Sequence, residues 1–523
     1  MSSGEQHHRG ETYGEILYAA LGRHGDKVAF IDQDDRSTTF REALDLFCRL
    51  RAVLKSVGVT RGSAVGMLST NRSDGWLAQW AGPANGARYT PLNPYSSFDD
   101  LLYIAQDADL SVLIIDPGFD PERGRRLAEQ LPDVTILTLG PADYGQDLLA
   151  LAQQAEPLHD FDPGLHPEDL AMVIYTGGTT GRSKGVMQTH RAIIANHTLQ
   201  LAEWPFPKPP RFLAMAPYSH ATGWFLLGAL WLGGTVIMRN GFSVDGYVDA
   251  VERLKANMTF AVPTMIYSLL DEPTLTEHDL SAMQLIVYGA APMSVPRLRQ
   301  GIGKFGPVFL QLYGQSEAPN VVTTMLPEDH VLEDELRLAS CGRPAPGMSV
   351  KVLGPDDKVL PAGEVGELCI RGPLVMQGYH KKPEQTAETI RDGWLRTGDL
   401  AVTDQDGYIR LVGRAKDMII SGGFNVYPAE VEAPILMHPD VEAAAVVGLP
   451  HDKWGEAVTA FVVAKPGTNP DPAEIIALVR EKKGPVMAPK SVYVIDEIPM
   501  TSLGKPDKKA LREWKPPAEA TLA

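Results

Sequence analysis

Helical stretches alternate with short runs of β-forming residues along most of this chain. In the first part, the predicted helices at residues 39–57 and 97–108 alternate with apolar runs at 64–68 and 110–115. The alternation resumes from about residue 212. Because helices that alternate with strands cover the faces of a sheet, the pattern predicts an α/β fold built of layered sheets.

The chain is long enough for several domains, since 523 residues exceed one ordinary hydrophobic core. Residues 141–167 are rich in Asp, Pro and Ala, which indicates a connection. After Cys341 the pattern changes to short β segments, and from residue 417 it suggests a compact α+β unit with helices at 426–438 and 472–482. We therefore predict a large N-terminal domain (1–413), a hinge (414–416) and a small C-terminal domain (417–523).

The composition excludes several classes of function. A formal net charge of −17 argues against nucleic acid or an anionic membrane as the main partner. The cysteines, Cys48, Cys341 and Cys369, are too few and too widely spaced for a disulfide framework or a cysteine zinc site. The first ten residues lack the apolar core of a secretion signal, and no run of about 18 apolar residues occurs. We expect a cytoplasmic protein with no membrane span.

One short segment, residues 175–185, reads Y-T-G-G-T-T-G-R-S-K-G. It is not a Walker phosphate loop, because two residues separate Gly181 from Lys184. Residues 181–185 do match G-x-S-x-G, the nucleophile elbow of hydrolases, but that motif needs a helix directly after it. The following V-M-Q-T suggests a strand instead. The alternatives left are a flexible anion-binding loop, with freed backbone N–H groups, hydroxyls and cations, and a solvated turn.

A second glycine motif, G-I-G-K-F-G at residues 301–306, matches the dinucleotide-binding pattern G-x-G-x-x-G. That fold requires a strand before the glycines and a helix after them. Here a predicted helix at 295–300 precedes the motif and a predicted strand follows it. The order is inverted, which argues against a dinucleotide site.

Further motifs follow the glycine-rich segment in a fixed order. They are P-Y-S-H-A-T-G (217–223), Y-G-A-A-P (288–292), Y-G-Q-S-E (313–317), W-L-R-T-G-D-L (394–400), G-R-A-K-D (413–417), S-G-G-F-N-V-Y-P (421–428) and T-S-L-G-K (501–505). Together with residues 175–185 they resemble the adenylate-forming superfamily of acyl-CoA synthetases, aryl-CoA ligases, luciferases and peptide-synthetase adenylation domains. Gly177 replaces the family's usual serine and Ser183 its usual proline, and neither change removes the backbone donors.

The resemblance implies a fold and a set of site residues. It implies layered α/β sheets with a distorted β-barrel and a small mobile C-terminal domain. The implied catalytic residues are Lys505, Glu317, His220 and Lys184, with Glu317 also holding Mg²⁺. The implied nucleotide-binding residues are Thr176, Gly177, Gly178, Thr179, Thr180, Gly181, Arg182, Gly289, Ala290, Ala291, Pro292, Tyr313, Gly314, Gln315, Ser316, Asp399 and Arg414. The implied acyl pocket contains His220, Ala221, Thr222, Phe260, Tyr288, Gly289, Leu312, Gly314 and Asn320. Ser421, Gly422 and Gly423 are expected to line a coenzyme A tunnel, and Lys416 is the expected hinge.

The chemistry of the residues agrees with this expectation. A carboxylate attacks an anionic phosphate poorly unless cations neutralise the charge, and Lys184, Arg182, Lys505 and Mg²⁺ on Glu317 supply them. Asp399 is suited to a ribose diol because a carboxylate accepts two hydrogen bonds. We expect a carboxylic acid, ATP and CoA as substrates. CoA is favoured because no carrier domain follows Lys505.

Several questions stay open in the sequence. An amine or a separate carrier protein is an alternative acceptor, and a homologue without catalysis is less favoured because Lys505, Glu317 and Asp399 are present. Small residues at Gly289 and Gly314 are expected to leave room for an aryl ring or a medium chain. The acid itself is not predicted, and both a monomer and a homodimer are compatible with the sequence.

Overall fold

The computed structural model describes residues 10–162, 164–176, 183–500 and 506–514. Up to the glycine-rich segment the helices are α1 (Tyr13–Gly22), α2 (Phe40–Ser56), α3 (Ser73–Ala84), α4 (Phe98–Asp107), α5 (Pro121–Gln130) and α6 (Leu148–Gln154). The strands are β1 (Val28–Ile31), β2 (Ser37–Thr39), β3 (Ala64–Leu68), β4 (Arg88–Leu92), β5 (Val112–Ile115), β6 (Thr135–Thr138), β7 (Gln146–Asp147) and β8 (Leu170–Thr176).

The middle of the chain continues the alternation. Its helices are α7 (His190–Glu203), α8 (Leu226–Trp231), α9 (Val244–Glu252), α10 (Pro263–Asp271), α11 (Val295–Phe305) and α12 (Glu335–Leu338). Its strands are β9 (Lys184–Thr189), β10 (Arg211–Ala214), β11 (Thr235–Met238), β12 (Met258–Ala261), β13 (Leu285–Tyr288), β14 (Phe309–Gln315), β15 (Ala318–Met325) and β16 (Arg343–Pro344).

The last third begins with short strands and ends with the α+β unit. The first group is β17 (Ser349–Leu353), β18 (Gly366–Arg371), β19 (Gly378–Tyr379), α13 (Pro383–Thr389), β20 (Ile390–Arg391), β21 (Trp394–Thr403) and β22 (Ile409–Arg414). The second group is β23 (Ile419–Ser421), β24 (Phe424–Val426), α14 (Pro428–Ile435), β25 (Val441–His451), β26 (Gly455–Ala464), α15 (Pro472–Lys483), β27 (Ser491–Val494) and α16 (Lys508–Glu513).

Two large mixed sheets organise the N-terminal part. One has the order β16-β15-β14-β13-β12-β10-β11-β1-β2, and the other has the order β19-β9-β8-β4-β3-β5-β6-β7. The strands from β14 to β1 in the first sheet pair in parallel, as do those from β8 to β7 in the second. The predicted α/β class is confirmed.

A shared core joins these two sheets. Its buried side chains come from helices α1, α2 and α3 and from strands of both sheets, as Phe47, Trp76, Tyr89 and Phe212 illustrate. A separate cluster packs α9, α10 and α11 on the opposite face of the first sheet. Because the shared core packs one large sheet against the other, it fixes the distances between the loops at the edges of the two sheets.

Two smaller sheets follow. Strands β17, β18, β21, β20 and β22 form an antiparallel sheet in the segment where a distorted barrel was expected, and β24, β23, β26, β25 and β27 form the C-terminal sheet. Helices α14 and α15 pack on the C-terminal sheet around their own core, which includes Val431, Ile435, Ile475 and Val479. This separate core supports the predicted small domain.

Several local predictions need correction. Residues 141–167 are not only a connection, because Asp147 caps a helix, α6, by accepting hydrogen bonds from the N–H groups of Leu149 and Ala150. The helix predicted at 426–438 begins at Pro428, since proline suits a first helical position and Val426 belongs to β24. The G-x-G-x-x-G glycines lie at the end of helix α11 and directly after it, as the rejection of a dinucleotide site requires.

Within the described residues, no helix is both long and apolar enough to cross a lipid bilayer.

Candidate active site

Strands β8 and β9 carry the flanks of the glycine-rich segment. They form an antiparallel pair in which Thr176 lies opposite Lys184. Lys184 begins a strand, and the next helix starts only at His190, so the nucleophile-elbow interpretation is excluded. The predicted residues Gly177, Gly178, Thr179, Thr180, Gly181 and Arg182 lie outside the described residues, as does Lys505.

Lys184 and Glu317 meet around a tyrosine that the sequence analysis missed. The Tyr379 hydroxyl donates to Glu317 Oε1 at 2.8 Å, and the Lys184 ammonium lies 5.0 Å from the centre of the Tyr379 ring. Burial, and then the Glu317 charge, raise the pKa of Tyr379, so the hydroxyl stays protonated and donates. Strand β19 brings Tyr379 here by pairing it with Val186 of β9.

Glu317 lies in the turn between β14 and β15, next to Ser316. Its backbone carbonyl accepts from the N–H of Met376 at 2.8 Å, and the Ser316 carbonyl accepts from Gln188 Nε2 at 2.9 Å. These bonds hold the turn against β9 and the segment before β19. The Glu317 carboxylate is therefore positioned by its backbone, while only one of its oxygens has a side-chain donor in the described structure.

Asp399 is the most heavily hydrogen-bonded carboxylate of the predicted set. It is 6% exposed. Its Oδ2 accepts from the Tyr313 hydroxyl at 2.7 Å and from Gln315 Nε2 at 2.6 Å, and its Oδ1 lies 2.8 Å from Arg414 Nε. Asp399 and Arg414 are register partners on β21 and β22. We call these four side chains the Asp399 cluster.

The cluster limits how Asp399 can bind a diol. A carboxylate has about four lone-pair positions, and three are used here. Two ribose hydroxyls therefore fit only if one donor moves. The Arg414 side chain is 46% exposed, whereas Tyr313 is buried and Gln315 Nε2 also donates to the Thr397 carbonyl at 2.9 Å, so Arg414 is the donor with room to move.

The segment predicted to contact adenine follows strand β13. Ala290 has a positive φ of 65°, and Gly289, Ala291 and Pro292 flank it. A Cβ on Gly289 would lie 2.6 Å from the carbonyl oxygen of Leu312, and one on Gly314 would lie 2.2 Å from the backbone nitrogen of Asn320. These glycines make room for protein backbone rather than for a substrate, which corrects the expectation from their small size.

The predicted acyl-pocket residues do not all lie on one face. Phe260 and Leu312 belong to the shared core, and the Phe260 ring stacks on Phe225 with a centroid distance of 5.1 Å. Tyr288 instead joins the opposite cluster, where its hydroxyl contacts Gln311 and His330. The reason is register: Tyr288 lies opposite Ala261 and Gln311, which are the neighbours of Phe260 and Leu312, and successive side chains along a strand point to opposite faces.

His220, Ala221 and Thr222 lie where a short 3-10 turn, Ala221–Trp224, begins after strand β10. The Ser219 hydroxyl lies 2.9 Å from His220 Nδ1. Burial lowers the pKa of His220 to about 4, so its ring is neutral at neutral pH. A neutral imidazole can orient a substrate by hydrogen bonding, but it offers a carboxylate no charge.

A small cavity of about 10 Å³ lies beside His220. Its lining residues are Gln79, Trp80, Tyr89, Met172, His197, Tyr218, Ser219, His220, Gly223 and Trp224. None of the first five is predicted from the sequence. The one available signal was the glutamine in the otherwise apolar run W-L-A-Q-W of helix α3, which is buried throughout.

The predicted CoA-tunnel residues form the tight turn between β23 and β24. Gly422 and Gly423 have positive φ angles of 60° and 84°, and the Gly422 N–H donates to the Trp454 carbonyl at 2.8 Å. Ser421 is buried. The predicted hinge, Lys416, lies in the 3-10 turn Ala415–Asp417 between the two smaller sheets, directly after Arg414 ends β22.

Comparison with known families matches most of the chain. Residues 17–380 match the AMP-binding enzyme family, and residues 430–505 match the AMP-binding enzyme C-terminal domain. The boundary between the two matches falls around the proposed hinge.

Individual relatives span nearly the same length. A medium/long-chain fatty-acid–CoA ligase of Mycobacterium tuberculosis is 43% identical over 513 residues, covering 95% of this chain and 89% of the relative. A feruloyl-CoA synthase of an Amycolatopsis species is 36% identical, covering 89% and 92%. The solved structure of an amide bond synthetase from Marinactinospora thermotolerans superposes with a TM-score of 0.88 at 34% identity, covering 95% of this chain and 99% of that one.

Proposed function

We infer, because the chain belongs to the family of AMP-binding enzymes, that it is an ATP-dependent carboxylate–CoA ligase. The observation that carries this conclusion is the buried Asp399 cluster, with Glu317 two residues after Gln315 of that cluster, in a chain that matches CoA ligases over nearly its full length. The resemblance drawn from the motifs is thereby confirmed.

In the first half reaction an acid oxygen attacks the α-phosphorus of ATP and pyrophosphate leaves, which gives an acyl-adenylate. The attack brings two anions together, so positive charge must surround the phosphates. We assign this task to Lys184 at the mouth of the β8–β9 pair, with Arg182 of the glycine-rich segment and Lys505. Asp399 and Arg414 hold the ribose, and the Arg414 side chain moves to admit it.

Mg²⁺ fits the donor set around Glu317. Mg²⁺ prefers oxygen ligands and is bound in nucleotide sites by one or two carboxylates together with phosphates. Among the described residues only one Glu317 oxygen has a side-chain donor, and Ser316 offers a hydroxyl next to it, which matches this preference. The ion would neutralise phosphate charge as pyrophosphate leaves, and Tyr379 would keep the carboxylate oriented.

In the second half reaction the CoA thiolate attacks the acyl carbonyl, the C–S bond forms, and the C–O bond to AMP breaks. We propose that the S-G-G turn at 421–423 lies along the path of the thiol. Lys505 and the thiol need the same carbonyl region at different times, so the C-terminal domain has to rotate about residues 414–416.

An amine acceptor is the second candidate. The amide bond synthetase that superposes on this chain supports it, because two members of one family can share the first step and differ in the second. CoA is favoured since relatives of the highest identity reported above are CoA ligases.

The function is tested by measuring each half reaction separately. Pyrophosphate release across a panel of aliphatic and aromatic acids reports adenylation, and thioester formation with and without CoA reports transfer. Lys505→Ala should abolish pyrophosphate release and spare thioester formation from supplied acyl-adenylate, because its charge is needed only while phosphate bonds rearrange. Pyrophosphate release without any CoA thioester, but with amide formation, would replace this proposal by the second candidate.

A further inference from the structure

Helix α4 contacts the backbone beside Lys184. Two of its side chains, Tyr103 and Asp107, are four residues apart and therefore lie on one face of the helix. The Tyr103 hydroxyl donates to the carbonyl of Ser183, the residue before Lys184, at 3.2 Å. Asp107 Oδ2 accepts from the Tyr175 hydroxyl at 2.6 Å. One helix face is thus bonded both to the residue before β9 and to β8, the strand that pairs with β9.

Tyr175 connects this helix face to the residue after Lys184. Its register partner is Gly185, and a Cβ on Gly185 would lie 3.1 Å from Cζ of the Tyr175 ring. The ring therefore lies over the Gly185 backbone. It also meets the Tyr103 ring edge to face, with the centroids 6.4 Å apart. Burial, and then Asp107, raise the pKa of Tyr175, so its hydroxyl stays protonated and donates.

The two residues after β19 join β9 to the same helix. The Gly185 carbonyl accepts from the His380 N–H at 2.7 Å. Lys381 donates through Nζ to the Asp107 carbonyl and to Asp109 Oδ1, both at 2.8 Å. The Asp107 carbonyl lies at the C-terminal end of α4, where a cation is favoured.

These bonds hold the backbone on both sides of a cation that the proposed mechanism uses. The carbonyls of Ser183 and Gly185 each accept a hydrogen bond from outside the β8–β9 pair, and Lys184 lies between them. The Lys184 ammonium lies 5.0 Å from the centre of the Tyr379 ring. A charge stabilises a transition state best when it is in place before the reaction, and a displacement of about 1 Å can cost about a hundredfold in rate.

We propose that Tyr103, Tyr175 and Asp107 are positioning residues for Lys184, which hold its backbone so that its ammonium faces the phosphates of ATP during adenylation. The proposal rests on the ligase function and adds residues to the same site. Because the three residues act through Lys184, their loss should slow the first half reaction. It should spare the second, in which no pyrophosphate leaves.

Two Tyr→Phe variants, Tyr103→Phe and Tyr175→Phe, remove the hydroxyls and keep the rings. In each, kcat for pyrophosphate release should fall at least about fivefold while KM for ATP changes less than about twofold, because the charge of Lys184 stabilises the transition state. Thioester formation from supplied acyl-adenylate and CoA should stay within about twofold of the parent rate. A change in KM alone, or an equal loss in both half reactions, would overturn the positioning role.

The variant Lys184→Met shows whether the hydroxyls act through Lys184, since it keeps a long side chain and removes the charge. In that background Tyr103→Phe should lower pyrophosphate release by less than about twofold more, because the effects of residues that act as a unit do not add. Single-turnover assays at high enzyme concentration measure the slow background reaction. A full additional loss would show that Tyr103 does not act through Lys184.

Tyr18→Phe is the matched control. Tyr18 is also a half-buried tyrosine on a helix, its hydroxyl lies 3.2 Å from His159 Nδ1, and its ring meets Phe161 edge to face. This variant should leave both half reactions unchanged. If Tyr175→Phe does not fold, Asp107→Ala removes the acceptor of the Tyr175 hydroxyl and should give the same selective loss.

The outcomes separate this proposal from the ligase function. If the parent enzyme releases pyrophosphate and both Tyr→Phe variants match it in each step, the positioning role is overturned and the ligase function stands. If the parent enzyme releases no pyrophosphate with any acid of the panel, the ligase function is contradicted, and the positioning role is overturned with it.

Discussion

The Asp399 cluster and the cavity beside His220 differ in whether their buried polar atoms are hydrogen-bonded. Asp399 has donors from three side chains, two on the first sheet and one across β21 and β22. Four residues that line the cavity each contain a buried side-chain atom with no hydrogen-bond partner among the described residues. Asp399 keeps about one lone-pair position in this arrangement, so a ribose diol binds it only when the Arg414 side chain moves. The two regions therefore differ in how much of their hydrogen-bonding capacity is used within the described residues.

Removing the charge of Asp399 should produce the largest effect. Asp399→Asn keeps the shape but loses charge-assisted bonds worth about 1.5–3 kcal/mol each. We expect kcat/KM for ATP to fall at least about a hundredfold, which corresponds to ~2.7 kcal/mol. Pyrophosphate release at varied ATP concentration measures it.

Two controls accompany this variant. Asp356→Asn alters an exposed carboxylate paired with Lys358 and should change nothing. Tyr313→Phe removes one of the three donors to Asp399 and leaves the charge, so a change under about fivefold is expected. If kcat/KM for ATP in Asp399→Asn stayed within threefold of the parent value, Asp399 would not bind the ribose.

The Glu317 carboxylate has fewer side-chain donors than Asp399, because in the described residues only one of its oxygens accepts a hydrogen bond, from Tyr379. A neutral amide is a poor ligand for a hard cation, so Glu317→Gln should raise the Mg²⁺ concentration for half-maximal adenylation about thirtyfold, ~2 kcal/mol. A Mg²⁺ titration at saturating ATP and acid gives this value. Tyr379→Phe retains the carboxylate and should shift it less than about threefold. An unchanged requirement in Glu317→Gln would place the ion elsewhere.

The variant Lys416→Pro tests whether a hinge lies directly after the Asp399 cluster. Proline fixes φ near −65° and removes an N–H, which restricts rotation two residues after Arg414. We expect pyrophosphate release to fall less than threefold, while thioester formation falls about tenfold, ~1.4 kcal/mol. Single-turnover assays of each half reaction, with Lys416→Ala as the control, measure both. Equal loss in the two steps would exclude a hinge at this residue.

The buried residue His190 should make the free energy of unfolding depend on pH. His190 accepts from the Tyr13 N–H at 3.2 Å and has an unpartnered Nε2. Burial lowers its pKa to about 4, below the unfolded value of about 6.5. The unfolded chain therefore binds the proton more readily. The contribution of neutral His190 to the free energy of unfolding is fully present above about pH 6.5 and is lost as the pH falls toward 4.

The variant His190→Asn keeps an acceptor and removes the titration. Between pH 8 and pH 6 the parent protein should lose about 0.8 kcal/mol of stability through this residue, and the variant should lack that part of the loss. Urea unfolding at both pH values measures the difference. An identical pH dependence in the two proteins would show that His190 does not titrate on unfolding.

The sequence predicted more residues of the Asp399 cluster than of the cavity beside His220. Asp399, Arg414, Tyr313 and Gln315 were all found, because each lies in an ordered motif. Their mutual contacts were not, because the pairing of Asp399 with Arg414 depends on the register of β21 and β22. Motifs identify residues, and only the tertiary fold decides which atoms pair.

Residues around the cavity carry little local signal. Gln79, Tyr89 and His197 come from α3, β4 and α7, and of the three only Gln79, in an otherwise apolar run, differs from its neighbours. Tyr379 was missed for the same reason, since β19 is a two-residue strand that matters only where it meets β9. Long-range packing determined these contacts, whereas helix α6 and the start of α14 at Pro428 follow from local signals.

The position of β1 has a consequence for synthesis on the ribosome. Val28, at the start of β1, accepts a hydrogen bond from Thr235, 207 residues later in the chain. At about 5–20 residues per second, the ribosome makes that partner about 10–40 s after β1. Until then Phe30 and Ile31 have no neighbouring strand on that side, although both are buried in the finished fold. The apolar strand β1 of the nascent chain therefore has only the polar strand β2 beside it throughout that interval.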